Sequence, residues 1–280
     1  MSTQPVHASV GIIGYGSMGS AIARAIARSH ELEKRFSFQV YAKKQQQTAD
    51  DGQVIFFSQS LQDLVSACDI IIVAVRPEQV AGVVRDVVQG LTDEKALPRK
   101  ILISVAAGVT LDSLRSLTRN AFAAVRVMPN TLVEAGRGIF GLCSSPDLAE
   151  EHKSLILTLL KGIGTVVELE EQQMNAFTAL AGCGPGFLFS IMDSLSEAGV
   201  SVGLSRESSL SIAKSLMAGC GILAETTGRH PVTLREQSTS PAGMTIAGLN
   251  YMDAQGIRGH LIEAVKVACR QGEAMDLESR

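Results

Sequence analysis

The sequence predicts two domains: a doubly wound, mainly parallel α/β sheet over residues 1–165 and an all-α domain over residues 166–280. The chain has 280 residues, of which 46% are hydrophobic, so it is long enough for two ordinary domains with apolar cores. Before residue 165, short aliphatic runs alternate with segments of helical spacing, as in α/β folds. After Val167 strand-like runs stop, and apolar residues recur at helical spacing to the end.

Aliphatic runs predict the strands of the first domain, and the run 70–75 is wholly apolar, which is typical of a parallel sheet buried on both faces. The predicted strands are residues 9–13, 36–41, 70–75, 101–105, 123–128 and 139–143. Segments with apolar residues at helical spacing predict helices over residues 18–28, 61–67, 78–88 and 111–117.

In the second domain, helical spacing predicts helices over residues 171–200, 206–226, 246–254 and 258–275, separated by glycine-containing breaks. A block so rich in glycine, alanine and apolar residues is too small to hide all its apolar faces by itself. We therefore expect it to pack against a second subunit, which predicts a homodimer formed through the helical domain.

A glycine-rich segment directly follows the first predicted strand and opens the first predicted helix. It fits the pattern GxGxxG with Gly14, Tyr15, Gly16, Ser17, Met18 and Gly19. In that setting the first glycine makes the tight turn, the second lets the backbone approach a pyrophosphate, and the third allows close packing. The N–H groups at the start of the helix add an anion site. This segment predicts a Rossmann domain that binds NAD(P).

The ends of the next strands predict the rest of the cofactor site, because ligands of such sheets bind at the carboxyl ends of strands. Lys43 and Lys44 follow the second strand, where an NAD-specific site usually has an acidic residue for the ribose 2′-hydroxyl. Two lysines favour a 2′-phosphate and hence NADPH, with NADH as the alternative cofactor. The third strand ends at Ala74, Val75, Arg76 and Pro77.

Composition excludes several other functions. The net charge is −3, no tryptophan is present and no basic run occurs, so nucleic acid is not expected as a partner. Five isolated cysteines predict reduced thiols, mostly small core residues, and no metal site is predicted. The polar N-terminus and the short aliphatic runs predict no membrane span. We therefore expect a cytoplasmic protein.

A second anion site is predicted near residue 240. Ser238, Thr239 and Ser240 precede Pro241, and Gly243 and an apolar helical pattern follow. This order is typical of a helix start with a hydroxyl N-cap and a proline near the first helical position. The free N–H groups of that first turn would bind an anion.

Five segments together resemble motifs of the pyrroline-5-carboxylate reductase family. They are residues 74–77 (AVRP), 104–109 (SVAAGV), 126–131 (RVMPNT), 182–187 (GCGPGF) and 240–245 (SPAGMT). Their order and spacing, with the glycine loop, match the family from residue 9 to about residue 275. The resemblance implies NAD(P)H-dependent reduction of the C=N bond of 1-pyrroline-5-carboxylate to L-proline, the last step of proline biosynthesis. It also implies dimers that assemble further, often into decamers.

The resemblance also assigns residues to the site. It adds Ala106 to the cofactor site, and it places the substrate carboxylate at Ser240 and at the backbone N–H groups near Gly243. The hydroxyl of Thr245 corresponds to the one that reaches the ring nitrogen, which makes Thr245 the catalytic candidate. The substrate-binding residues implied are Ser240, Ala242, Gly243, Met244, Thr245, Gly184 and Pro185. Positioning dominates such a reaction, and no strong general base is predicted.

The chain departs from the family pattern near the expected chemistry. Family members usually have Asp, Ser, Ser, Ala and Tyr at the positions of Asn175, Ala181, Cys183, Gly186 and Phe187, and glycine at Ala242. These changes leave two alternatives: a non-catalytic or regulatory paralogue that binds NADPH, and a reductase of a related cyclic imino acid. A 3-hydroxyacid dehydrogenase is disfavoured, because no lysine follows the 182–190 turn before Lys214.

Overall fold

A seven-stranded sheet forms the centre of the first part of the chain. The computed structural model describes residues 7–43, 55–89, 91, 100–119, 121–145 and 148–278. Within these residues the sheet has the order β2-β1-β3-β4-β5-β6-β7. The strands are β1 (Ala8–Ile13), β2 (Phe36–Tyr41), β3 (Ile70–Val73), β4 (Ile101–Ser104), β5 (Ala123–Met128), β6 (Gly138–Ser144) and β7 (Gly164–Glu168).

Strands β1 to β5 pair in parallel, as predicted, and the chain order reverses on the two sides of β1. Strand β6 is antiparallel to β5, with Arg126 opposite Cys143. The sequence pattern did not reveal this reversal. Its cause is local: a 3-10 helix at Thr131–Ala135 returns the chain directly, whereas a parallel pair needs a long crossover. Strand β7 was not predicted; it pairs in parallel with β6 at the sheet edge.

Helices cover both faces of this sheet. They are α1 (Ser17–Arg28), α2 (His30–Glu33), α3 (Leu61–Ala67), α4 (Pro77–Gln89), α5 (Leu111–Thr118), α6 (Glu150–Lys161) and α7 (Met174–Phe177). One apolar cluster joins the sheet to α1, α2 and α6, and a second joins it to α3, α4, α5 and α7. Burial on both faces explains why β3 and β4 read as continuous aliphatic runs. The predicted doubly wound fold is therefore confirmed.

The rest of the chain is helical, as predicted. After a 3-10 turn (Glu171–Gln173), α7 and a π-helical turn (Thr178–Gly182) come α8 (Gly184–Ser201), α9 (Arg206–Thr227), α10 (Pro231–Gln237), α11 (Met244–Ala254) and α12 (Ile257–Glu278). The prediction of one uninterrupted helix over 171–200 was wrong, because the π-helical turn and Cys183 break it. Helix α10 was not predicted; it begins at Pro231, which occupies the first turn.

Two compact units divide the chain: Met1–Gly182 with Gln271–Arg280, and Cys183–Arg270. The boundary predicted near residue 165 falls inside β7. The physical reason is that the segment after β7 still packs on the sheet, since Met174 is only 1% exposed and belongs to its core. The last residues of α12 likewise belong to the first unit.

One helical stretch, Glu171–Ser201, is long and apolar enough to cross a membrane by length and composition alone. Only 22% of the 18-residue window that is apolar enough for a membrane span is buried inside the chain. The sequence predicted no membrane span, because the apolar residues of this stretch are mixed with glycine, alanine and serine and form no long aliphatic run.

Candidate nucleotide and substrate sites

The glycine loop has the geometry that its sequence pattern requires. Gly14 has a φ of 102°, and a Cβ there would lie 2.6 Å from the carbonyl oxygen of Ala74. A Cβ at Gly19 would collide with the carbonyl oxygen of Gly14, so helix and loop are in direct backbone contact. A Cβ at Gly16, by contrast, would point into open space. Two glycines are thus required by packing and the third leaves room for a ligand.

Helix α1 begins without a side-chain cap. Its N-cap is Gly16, which has no side chain to accept a bond from the first N–H groups, whereas Ser60 and Thr110 cap α3 and α5. The first-turn N–H groups have no partner within a helix. Gly16 and Ser17 are exposed. This helix start therefore presents uncapped donors and open space, which together fit a diphosphate.

The remaining predicted cofactor residues lie at neighbouring strand ends of the same unit. The loop is tied to β2 and β3, since Gly14 N donates to Tyr41 O (2.8 Å) and Ala74 N donates to Ile13 O (2.8 Å). Lys43, just beyond β2, is exposed, whereas Lys44 lies outside the described residues. Tyr15 packs edge-on against Phe57, with 5.2 Å between the ring centroids.

The segment after β3 continues this edge. Ala74 and Val75 are partly buried, Arg76 is exposed, and Pro77 begins α4. Ala106, which follows β4, is buried. These predicted residues thus occupy the carboxyl ends of β1, β2, β3 and β4, the edge where doubly wound folds bind ligands.

A cavity of about 480 Å³ opens beside the ends of β3 and β4. Its wall includes Pro77 and Gly108 from the strand ends, together with Arg126, Asn175 and Thr178. Arg126 belongs to the RVMPNT segment, from which the sequence suggested no individual role for it. The signal available was a lone arginine inside the apolar strand run AAVRVM.

Arg126 is 4% exposed and forms an ion pair with Glu171. Buried arginines are usually paired, because an isolated buried charge is costly. Burial, followed by the hydrogen bond to Glu171, raises the pKa of the Cys143 thiol to about 12. The thiol is therefore neutral, and Arg126, Glu171 and Cys143 form a buried polar cluster on β5, β6 and the turn before α7.

In the second unit, the start of α11 differs from its prediction. The helix begins at Met244 and its N-cap is Gly243, so the prediction of a hydroxyl cap with proline in the first turn was wrong. The cause is Ala242, whose φ of 59° lies in the left-handed region and excludes it from the helix. Residues 240–243 instead form a turn, with Gly243 N donating to Ser240 O (3.1 Å).

The N-terminus of α11 still offers backbone N–H donors to an anion. No side chain caps it, and Met244 and Thr245 are exposed, Met244 at 94%. A Cβ at Gly243 would collide with the hydroxyl oxygen of Ser240, so this hydroxyl lies beside the helix start. A cavity of about 390 Å³ between α10 and α11 is lined by Ser240 and Pro241.

Gly184 and Pro185 form the first turn of α8, where Pro185 is buried. Added Cβ atoms at Gly184 and Gly186 would meet open space. The departures from the family pattern do not share one environment. Asn175 lines the strand-end cavity of the first unit, Ala181 accepts a hydrogen bond through its carbonyl, and Cys183 is exposed at the start of α8.

All five cysteines are free, as predicted. Cys68 and Cys143 are buried, but Cys183 and Cys220 are exposed in the chain, so the prediction of mostly core cysteines was wrong for these two. Within the described residues, no group of three or more His, Cys, Asp or Glu side chains is arranged to hold a metal ion.

Comparison with known proteins covers both units. Residues 171–275 match the family model described as pyrroline-5-carboxylate reductase dimerisation, and residues 9–108 match the one described as NADP oxidoreductase, coenzyme F420-dependent. The chain is similar to the pyrroline-5-carboxylate reductase of Aquifex aeolicus, with 34% identity over 91% of this chain and 93% of that protein.

Solved structures give the same result. The Plasmodium falciparum pyrroline carboxylate reductase, determined with NADP bound, matches with a TM-score of 0.82 and 28% identity. The enzyme of Coxiella burnetii matches with a TM-score of 0.85 and 25% identity. Each match covers 96% of this chain and 98% of the other. The chain is therefore a member of the pyrroline-5-carboxylate reductase family.

Proposed function

We propose that this protein reduces the C=N bond of 1-pyrroline-5-carboxylate to L-proline, with NADPH as the hydride donor. The observation that carries the proposal is the glycine loop: Gly14 and Gly19 are fixed by backbone contact, and Gly16 leaves open space before an uncapped helix. Similarity to named reductases over 91% of the chain supports the same reaction.

The residues of the first unit bind the cofactor. First-turn N–H groups of α1 hold its diphosphate, and the segments after β3 and β4, with Val75, Pro77 and Ala106, border its nicotinamide half. With NADPH bound, the chemistry supplied at this site would be hydride donation to the imine carbon. The backbone fits this group, because no side chain fills the open space at Gly16 in front of the uncapped helix.

The residues of the second unit hold the imino acid. The uncapped N–H groups at the start of α11 and the hydroxyl of Ser240 bind the substrate carboxylate. The Thr245 hydroxyl then orients the ring nitrogen or donates a proton to it, because the imine carbon accepts hydride only when the nitrogen carries a proton. Gly184 and Pro185 border the ring. Catalysis is mainly positioning, since no strong base is required.

Lys43 recognises the 2′-phosphate of NADPH. Lys43→Glu should lower the NADPH to NADH preference, measured as the ratio of kcat/KM values, by roughly tenfold, the equivalent of about 1.4 kcal/mol. The matched control is Lys34→Glu, the same charge change at an exposed lysine before β2. An unchanged ratio in the Lys43 variant would assign that lysine to solvent, and Lys44 would be tested in the same way.

The protein works as a cytoplasmic homodimer joined through its helical unit, and dimers assemble further into a decamer. The match of residues 171–275 to a dimerisation family supports the dimer. The apolar stretch Glu171–Ser201 then faces protein rather than lipid. Light scattering without detergent tests both the assembly and the environment of this stretch. A monodisperse decamer is expected. Aggregation that only detergent or vesicles relieve would instead favour contact of the stretch with a membrane.

The decisive experiment is turnover of NADPH with racemic pyrroline-5-carboxylate and with its six-membered homologue. We expect the five-membered ring to be preferred and the larger ring to be reduced detectably, because Gly186 leaves open space. Combined Ala181→Ser, Cys183→Ser and Gly186→Ala should restore selectivity. Binding of NADPH without turnover of either ring would favour a non-catalytic paralogue.

A further inference from the structure

The turn that leads out of the first unit is π-helical, which is rare and frequently found at functional sites. It spans Thr178–Gly182 and ends where the chain continues into α8. Widening a helix to this spacing displaces carbonyl groups from the regular ladder, so an external donor is needed. Here the donor is the side chain of Asn130, whose Nδ2 donates to the carbonyl oxygen of Ala181 (2.9 Å).

Asn130 is 2% exposed and its amide group is bonded on both sides. Its Oδ1 accepts from the backbone N–H of Ile139 (3.1 Å) and from that of Leu132 (3.3 Å). Because two N–H donors face Oδ1, the amide can point only one way, with its NH₂ group toward Ala181. A single side chain thus joins the carboxyl end of β5, the return to β6 and the π-helical turn.

A residue of β5 holds the beginning of this segment. Arg126 lies on β5, four residues before Asn130, and pairs with Glu171 in the turn before α7. Residues 171–182 are therefore attached near both ends, to β5 by the ion pair at Glu171 and to the loop just after β5 by the amide hydrogen bond at Ala181. Of the two, only the bond from Asn130 reaches the π-helical turn itself.

We infer that Asn130 is a positioning residue for the substrate site: its bond to Ala181 fixes the π-helical turn, and thereby the path of Gly182 and Cys183 into the first turn of α8. The inference rests on the proposed function, which assigns Gly184 and Pro185 of that turn to the imino acid. Asn130 touches neither cofactor nor substrate in this mechanism. It acts through the backbone of residues 178–183.

The test is Asn130→Asp. Aspartate keeps an acceptor for the N–H groups of Leu132 and Ile139 but has no donor for the Ala181 carbonyl. We expect amide hydrogen exchange to accelerate about tenfold in residues 178–186 and to stay unchanged in residues 131–139, since losing one partner of a buried bond costs about that factor or more. Thr131→Asp, which adds the same charge at an exposed neighbour, is the control.

Kinetics provide the second readout. The Asn130→Asp enzyme should show a roughly tenfold higher KM for the imino acid, while its Kd for NADPH stays within about twofold of wild type. Asn130→Ala, which loses all three bonds, should show the same kinetic split with a lower Tm. Unchanged exchange in residues 178–186 would overturn the inference. So would an equal loss of NADPH and imino-acid affinity, which would mean that Asn130 only supports the sheet.

The two proposals fail separately. A wild-type protein without imine turnover would contradict the proposed function, whereas the exchange experiment reports on Asn130 whether or not the substrate is known. A wild-type rate of both exchange and turnover in Asn130→Asp would reject the positioning role and leave the proposed function standing.

Discussion

The two compact units of the chain bury their apolar residues very differently. The first unit encloses aliphatic side chains in two clusters, one on each face of its sheet. In the second unit, Cys183–Arg270, the buried residues are Pro185, Ser196, Ser209 and Ala213. Its exposed large apolar residues include Leu188, Phe189, Leu195, Val202, Leu204, Leu210, Ile212, Leu216, Ile222, Leu223, Met244, Tyr251, Ile262 and Val267.

This difference indicates which unit can be stable without a partner. Burying apolar surface stabilises a fold by about 25 cal/mol per Å², and exposed contiguous apolar surface normally marks an interface. The first unit gains this stabilisation within one chain. The second has the apolar residues but not the burial, so its stability depends on a partner that covers them. The match of residues 171–275 to a dimerisation family supports the proposal that this partner is a second copy of the chain.

The strongest test of this comparison is a charge on the exposed surface of α9. Leu216→Asp should raise the dimer dissociation constant at least about 30-fold and abolish activity, because a buried interface anchor is typically worth about 2 kcal/mol or more. Light scattering and turnover are the measurements. Lys214→Ala, on the opposite side of the same helix, should leave both unchanged. A fully dimeric Leu216→Asp protein would place the interface elsewhere.

Substitutions in the glycine loop should spare assembly and affect the first unit alone. Gly16→Val should lower NADPH affinity by about 100-fold or more with an unchanged Tm, because its side chain enters open space that the diphosphate needs. Gly14→Ala should lower the free energy of unfolding by about 2–4 kcal/mol, given its φ of 102° and the nearby Ala74 carbonyl. Titration and calorimetry separate the two effects. Normal NADPH affinity in Gly16→Val would overturn the assignment of the loop.

Thr245→Ala tests the chemistry of the second unit. It should lower kcat about 10- to 100-fold, with a smaller effect on proline binding, since backbone N–H groups hold the carboxylate independently. Thr233→Ala, the same change at an exposed residue of α10, should be silent. Full activity in the Thr245 variant would transfer the protonation of the ring nitrogen to water.

Thiol labelling measures which cysteines are covered in each unit. Cys143 and Cys68 should stay unlabelled in the native protein at pH 8, because burial raises both pKa values and only the thiolate reacts. Cys183 should react rapidly. Cys220, which shares a surface groove with Leu216, should react about tenfold more slowly in wild type than in Leu216→Asp. Equal rates for Cys220 in the two proteins would show that no subunit covers α9 there.

The smallest effect is expected at Ala242, which adopts a left-handed conformation that glycine adopts without strain. Ala242→Gly should therefore leave the free energy of unfolding unchanged or raise it by up to about 1 kcal/mol. Ala247→Gly, the same change inside α11, should lower it by about 1 kcal/mol. Thermal unfolding distinguishes them, and equal destabilisation by the two substitutions would mean that residue 242 is not strained.

Local chemistry made the first unit predictable. Its strands are short and mostly apolar, and Gly14 and Gly19 are dictated by backbone contacts between neighbouring elements. Pattern and spacing alone therefore located β1 to β5, the loop at Gly14–Gly19 and the strand-end segment at Pro77. The reversal at β6 was not predictable from periodicity, because strand direction depends on a turn too short to contain a crossover.

The fold class, the cofactor loop and the helical nature of the second half were therefore predictable from the sequence, since they depend on periodicity and on contacts between near neighbours. Tertiary structure alone decided where Arg126 and Asn130 act, because their partners Glu171 and Ala181 lie 45 and 51 residues further along the chain. It also decided that α11 starts at Met244 rather than at the prolyl segment, since the backbone of Ala242 is held left-handed by the turn that Ser240 and Gly243 close.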